Sequence, residues 1–276
     1  MNLNKLLKPK TIAIVGASEK AGFGGDTTRN YLKFSKSLDK LYLVNPGRDS
    51  IFGRRAYHSL SEIEGDVDLV ILCTPQKTII PLLEEAAAKN CGGAVVFASG
   101  YSEVGPEGKE RQKELVEAAD RLGIAIMGPN CAGYANFVDG IFAFAFLVEE
   151  RERKGNIGMI SQSGQIVLGG LDSPNMGFSH VISSGNSCNV KVEDYLDFLV
   201  DDEDTKVVAA YMEGVTKPEK LVAAIQKAAI KKKPVVILKT GRSSKSQELA
   251  ASHTGSLSGA DKVLRAVFKR YGVVER

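Results

Sequence analysis

The residues able to do chemistry stand in a few short, polar, glycine-rich segments. His253, in Ala251-Ser252-His253-Thr254-Gly255, is one of only three histidines in 276 residues. A neutral imidazole nitrogen is a competent nucleophile near pH 7. Its flanks, Gly241 to Ser246 and Gly255 to Gly259, are rich in Gly and Ser, as a swinging loop requires. Taken alone, the residue reads more simply as a surface loop histidine. A second segment, Gly16 to Gly25, follows an apolar run and precedes a helical stretch, Asp26 to Phe34. Amides at such a turn, together with the helix dipole, bind phosphate; a plain turn is the alternative. Ser161-Gln162-Ser163-Gly164 likewise leads from a strand pattern into a helix pattern. Its amides and hydroxyls suit an anion nest.

Several other chemistries are disfavoured. The Gly16 turn lacks the GxGxxG spacing, and the next strand ends at Asn45-Pro46-Gly47-Arg48 rather than at the acid an NAD ribose needs. Arg48 fits either a phosphorylated ribose or a solvated surface charge. Ser163 resembles a nucleophile elbow only superficially, because Ser161 replaces the first glycine. The four cysteines, Cys73, Cys91, Cys131 and Cys188, form no CxxC pair. Neither a disulfide framework nor a metal site is expected, and a reducing cytoplasm is the natural home. Cys131 reads as a packed small residue rather than a nucleophile.

The elements that must position these segments alternate along the whole chain. Apolar runs at Thr11–Val15, Leu41–Val44, Val67–Cys73, Ala94–Ala98 and Ile124–Met127 predict five strands. Helices are expected at Asp26–Phe34, Pro81–Lys89 and Glu107–Leu122. After a charged stretch, Glu149 to Lys154, read as a linker or exposed hairpin, the alternation resumes. Strands are expected at Ile157–Ile160, Val181–Ile182, Val207–Met212 and Val235–Lys239, with helices at Gly164–Leu171, Val192–Val200, Pro218–Ala229 and Gly259–Tyr271. Continuous apolar strands separated by helices imply parallel sheets covered on both faces. The reading is two α/β units, residues 1–150 and 151–276. A net charge of +3 over 276 residues disfavours a nucleic-acid binder. No apolar run reaches the ~20 residues of a membrane span, and the first ten residues carry no signal-peptide core.

The motifs GAS, NPGR, CTP, ASGYSE and GPNCAG, followed by SQSG, SSGN, YMEG and SHTGS, occur in this order across the chain. In this the sequence resembles the CoA-binding, alpha-type part of nucleoside-diphosphate-forming acyl-CoA synthetases, the group of succinyl-CoA synthetase alpha subunits and ADP-forming acetyl-CoA synthetases. The resemblance implies a Rossmann-like CoA-binding domain, then a flavodoxin-like domain carrying a phosphohistidine loop. It implies that His253 is the phosphohistidine and that Glu213 orients it. Ser161, Ser163 and Gly164 would stabilise the phosphohistidine. Gly16, Ser18, Gly22, Phe23, Arg48, Thr74, Pro75, Ser99, Gly100, Glu103 and Asn130 would bind CoA, with Asn130 near its thiol end.

Two positions depart from the family pattern: Asn189, where acetyl-type relatives often have Asp, and Gln165, where they usually have a small residue. Either change is expected to reshape the acyl pocket. Only 23 residues follow His253, with no ATP-grasp sequence. A beta-type partner subunit or further domains of a longer chain would bring Mg²⁺ and ADP or ATP, with a piece of a longer chain slightly favoured and an oligomer expected. The alternatives are a non-catalytic CoA-binding or sensing module, disfavoured by the intact SHTG and Glu213, and an NAD-binding redox sensor.

Overall fold

The computed structural model describes residues 3–36, 40–148, 154–240 and 261–275. The chain divides into two compact units, Met1–Arg151 with Gly185–Asn189, and Glu152–Ser184 with Val190–Arg276.

The first unit is built on strands β1 (Ile12–Val15), β2 (Leu41–Val44), β3 (Ser50–Ile51), β4 (Arg54–Tyr57), β5 (Leu69–Leu72), β6 (Gly93–Val96) and β7 (Ala125–Met127). They lie in the order β3-β4-β2-β1-β5-β6-β7, parallel except for the β3–β4 hairpin. β1, β5, β6 and β7 are buried at every residue, so they read as unbroken apolar runs. Helices α1 (Asn4–Leu7), α2 (Phe23–Phe34), α3 (Ile79–Ala87) and α4 (Pro106–Leu122) accompany this sheet. Four-residue α1 is absent from the sequence reading. It is held by close approach: a Cβ on Gly93 would stand 2.6 Å from Leu6 Cα.

Two hairpins also escape the alternation pattern. β3 and β4 join through Phe52-Gly53, both at positive φ (47° and 70°), the geometry of a two-residue type I′ turn. The second hairpin pairs β8 (Gly133–Asn136) with β9 (Ile141–Phe144), antiparallel and wholly buried. The Tyr134 hydroxyl donates to Leu6 O at 2.6 Å, and the Thr27 hydroxyl on α2 donates to Phe144 O at 2.9 Å.

In the second unit, β10 (Lys154–Ser161), β11 (Phe178–Ser183), β12 (Val207–Met212), β13 (Val235–Lys239) and β14 (Val274–Glu275) run parallel in the order β14-β13-β12-β10-β11. The helices are α5 (Gly164–Asp172), α6 (Val192–Asp201), α7 (Pro218–Ile230) and α8 (Asp261–Arg270). Lys154, expected in a linker, instead opens β10, while residues 149–153 lie outside the described residues. The carboxylate of Glu193 on α6 is buried, and it is satisfied by the amides of Thr216 and Lys217 at 2.7 and 3.0 Å, just ahead of α7. Among the described residues no helix is long and apolar enough to cross a membrane.

Candidate functional site

The strand order of the first unit sets out its site. From β1 the chain passes to β2 on one side and later to β5 on the other, so the topological switch lies at β1 and β5. Open α/β sheets bind ligands at the carboxyl ends of strands there. The sequence-predicted CoA residues follow five neighbouring strands: Arg48 after β2, the Gly16–Phe23 turn after β1, Thr74 and Pro75 after β5, Ser99 to Glu103 after β6, and Asn130 after β7. With four spacings of ~4.8 Å, the row is about 19 Å long.

Close backbone approach explains the glycines of the first turn. Gly16 sits at φ +84°, where a Cβ would come within 2.8 Å of Cys73 O. A Cβ on Gly24 would lie 2.0 Å from Gly16 O, and one on Gly25 1.7 Å from Lys20 O. The first turn of α2 is thereby pressed onto the loop. Gly22 caps the helix with no side chain, leaving the terminal amides to point outward. The Gly16 amide is already spent on Val44 O at 2.9 Å. The Ser18 hydroxyl, half-buried, accepts from the Lys20 amide at 3.0 Å. Asn45 ties the β2 end to the turn, donating to Ala17 O at 2.8 Å.

Phe23 is 44% exposed and packs edge-on against the rings of Phe97 and Phe146. Arg48, Pro75, Ser99 and Asn130 are exposed. Thr74 is half-buried and hydrogen-bonded to the Thr78 hydroxyl at 2.9 Å. Gly100 takes φ +97°. Glu103 accepts the Gly100 and Tyr101 amides on Oε1 at 2.6 and 3.2 Å, and Asn186 Nδ2 on Oε2 at 2.6 Å. Burial alone would raise its pKa; the bonds from Asn186 and these amides outweigh it and hold Glu103 below the usual glutamate range.

Asn186 is a residue that sequence reasoning passed over. It lies in the Gly185–Asn189 segment of the first unit, where its amide donates to Pro129 O at 2.9 Å. Asn189, whose departure from the family pattern is expected to reshape the acyl pocket, lies in the same segment. It is buried, accepting from the Ile126 amide at 2.9 Å and donating to Ile124 O at 3.0 Å, so both faces of its carboxamide serve β7. Cys131 is buried, and desolvation pushes its thiol up to about 12, in keeping with a packed residue and not a nucleophile.

In the second unit, β10 and β12 are neighbours, with Ser161 level with Tyr211. The Ser161–Gly164 loop and Glu213 therefore leave adjacent strand ends. Ser161 is buried, and its hydroxyl donates to Ser163 O at 2.7 Å while accepting the Ser163 amide at 3.0 Å. That hydroxyl shapes the loop from within. Ser163 is the N-cap of α5 and makes no side-chain cap bond, and Gly164 begins the helix. Gln162 joins the two strand ends: its Oε1 accepts the amides of Glu213 and Gly214 at 2.6 and 3.1 Å. Its position inside SQSG was the only sequence hint. Gln165 is exposed on the first turn of α5. His253 and its flanks lie outside the described residues. Among the described residues no group of three or more His, Cys, Asp or Glu gathers to hold a metal ion.

Residues 10–136 match the CoA binding domain family, and residues 154–276 match the succinyl-CoA ligase like flavodoxin domain family. The acetate–CoA ligase [ADP-forming] I of Archaeoglobus fulgidus is 38% identical over 278 residues, covering 99% of this chain and 40% of that protein. The alpha subunit of acetate–CoA ligase [ADP-forming] II of Pyrococcus furiosus is 37% identical, covering 99% of this chain and 59% of that one. The chain joins a CoA binding domain to a succinyl-CoA ligase like flavodoxin domain. The fold agrees: the acetyl-coenzyme A synthetase 1 of Ca. Korarchaeum cryptofilum, solved with phosphate and ADP, superposes with a TM-score of 0.91 at 30% identity, over 100% of this chain and 59% of that one. The chain spans between 37% and 60% of the length of the curated relatives it matches.

Proposed function

We propose that this chain is the CoA-binding and phosphoryl-carrying part of an acid–CoA ligase that forms a nucleoside triphosphate. The overall reaction converts acyl-CoA, phosphate and ADP into acid, CoA and ATP. Phosphate attacks the thioester carbonyl and CoA leaves as the thiol. The acyl phosphate then passes its phosphoryl group to a nitrogen of His253, releasing the acid, and the phosphohistidine delivers it to the nucleoside diphosphate.

The observation that carries this reading is the row of loops at five neighbouring strand ends in the first unit. Its outward amides at α2 suit phosphates, and Arg48 suits the phosphorylated end of CoA. A narrow row about 19 Å long suits a thin pantetheine arm reaching toward Asn130. Gly16, Ser18, Gly22, Phe23, Thr74, Pro75, Ser99 and Gly100 line or shape the track in this reading, with Glu103 supporting it from beneath. Residues 1–150 form the CoA-binding domain, and 151–276 the ligase domain. There the uncapped first turn of α5, which begins at Gly164 behind the N-cap Ser163, offers amides to a phosphoryl group. Ser161 shapes that turn, and Glu213, held at its backbone by Gln162, offers a carboxylate to fix the tautomer of His253. An ATP-grasp subunit, or further domains of a longer chain, would hold the nucleotide and Mg²⁺. A reducing cytoplasm fits four cysteines that form no disulfide.

Thermal unfolding with CoA and with NADH tests the first half. At ~100 times Kd, CoA adds about 2.7 kcal/mol, a rise of roughly 5–10 °C for a chain of this size. A rise with NADH alone overturns the reading. Phosphorylation tests the second half. With acyl-CoA and phosphate, the complete enzyme should carry an acid-labile phosphoryl group that disappears in His253→Ala. Its persistence in that variant removes His253 from the mechanism.

A further inference from the structure

The thiol end of the track is governed by a chain of carboxamides whose orientations can be deduced. A carboxylate only accepts hydrogen bonds. The Asn186 atom 2.6 Å from Glu103 Oε2 must therefore be Nδ2. That Nδ2 also donates to Gln112 Oε1 on α4 at 3.0 Å, the oxygen that accepts the Ser102 amide at 3.4 Å. Asn186 Oδ1 is consequently turned toward Asn130, which must answer with its own donor, and Nδ2 of Asn130 lies 3.4 Å away. Asn130 is in turn fixed at its backbone: its φ is +55° and its amide donates to Ala98 O at 3.0 Å. With Nδ2 turned inward, this exposed residue presents the acceptor Oδ1 to solvent.

We propose that Glu103 is a positioning residue which, through Asn186, holds Asn130 with its carboxamide oxygen outward to accept a hydrogen from the thiol end of CoA. This rests on the CoA-binding reading above and deepens it. The donor is an N–H of the pantetheine arm or the terminal S–H. Both carboxylate oxygens of Glu103 are engaged by protein donors, so the residue acts through Asn186 and not by touching the ligand. Glu103 stays ionised, and therefore an acceptor, throughout the neutral range because its pKa is held low.

Glu103→Gln is the decisive substitution. It keeps an oxygen for the Gly100 and Tyr101 amides but sets an NH₂ group against Asn186 Nδ2. Relief comes from turning the Asn186 carboxamide over, with the Gln112 carboxamide turning too so that its NH₂ meets the Asn186 oxygen at the cost of the 3.4 Å bond from Ser102; Asn130 turns in their wake and puts a donor where the acceptor stood. Calorimetric titration with CoA, desulfo-CoA and adenosine 3′,5′-bisphosphate reads the result. In Asn130→Ala and in Glu103→Gln, CoA affinity should fall roughly 2- to 12-fold, the equivalent of one neutral hydrogen bond. Affinity for the bisphosphate, which lacks the arm, should be unchanged in both. In the double variant the Glu103→Gln effect should vanish, because Asn130 no longer transmits it. Glu103→Asp, still an acceptor, should recover part of the affinity. Loss of the Asn130→Ala effect with desulfo-CoA identifies the S–H as donor; its persistence identifies an N–H. A Glu103→Gln effect that survives undiminished in Asn130→Ala, or that weakens the bisphosphate equally, overturns the proposal. Failure of the wild-type chain to bind CoA would instead overturn the CoA-binding reading itself.

Discussion

Gly24→Ala is the sharpest probe of the first turn. The added Cβ would sit 2.0 Å from Gly16 O, whereas ordinary contact begins at 3.4 Å. The obstacle is backbone, so α2 and the loop must separate by the difference, 3.4 − 2.0 = 1.4 Å. Overpacking of this kind costs about 1–3 kcal/mol. That corresponds to a melting temperature lower by roughly 2–12 °C in a protein of this size. Binding should suffer more than stability. An N–H···O bond at ~2.9 Å that opens by more than an ångström is no longer a bond, and each charge-assisted bond is worth about 1.5–3 kcal/mol. CoA affinity should therefore fall at least tenfold by titration calorimetry. Gly22→Ala separates strain from displacement. Its Cβ would meet nothing, but φ +118° with ψ 179° belongs almost solely to glycine. It should lose about 1–3 kcal/mol of stability with a smaller effect on CoA, since the helix need not move. A Gly24→Ala protein that melts and binds CoA like wild type refutes the close-approach argument. One that melts early but binds normally shows that the phosphates lie elsewhere.

Three further outcomes follow from the same geometry. Burial pushes the thiols of Cys91 and Cys131 up to about 11 and 12, so iodoacetamide at pH 8 should leave both unmodified in the folded protein; rapid labelling of Cys131 by mass spectrometry would contradict its packing. Asn189→Asp removes the donor to Ile124 O and sets a second carboxylate near Asp120, whose Oδ1 is 3.5 Å from Asn189 Nδ2. Denaturant unfolding should show a loss of at least ~1–3 kcal/mol, and a neutral result would mean the site rearranges freely. Asp194 is pushed up by burial but pulled lower overall by Lys220 at 2.6 Å, the Lys191 amide and the charge of Lys217. Its folded pKa therefore lies below the unfolded value of ~3.9. Its stabilisation is complete above that value and fades as pH falls through the folded pKa. Asp194→Asn should lower stability at pH 7 and flatten part of the acid limb; an unchanged acid limb would remove Asp194 from it.

What the sequence reveals of this molecule follows from where its polar groups are spent. Strands buried on both faces, such as β1, β5 and β6, read as unbroken apolar runs, and parallel strands put their functional loops at one edge. The motif strings were legible for that reason. The β3–β4 hairpin was not, because a two-residue strand followed by Arg54-Arg55 has no measurable period. β8 and β9 are buried at every position and so lack the polar alternation that marks a hairpin. Side-chain roles divide in the same way. Gly16 and Ser161 occur in motifs, yet the Gly16 amide and the Ser161 hydroxyl are already committed to protein partners. A motif identifies a residue type at a strand end and not which of its atoms remain for a ligand. Asn186 lies 83 residues from Glu103 and 74 from Gln112 in the sequence, and no spacing rule joins it to them. They meet only because the Gly185–Asn189 segment packs within the first unit. The atom that Asn130 offers to a ligand is thus decided by a carboxylate it does not touch.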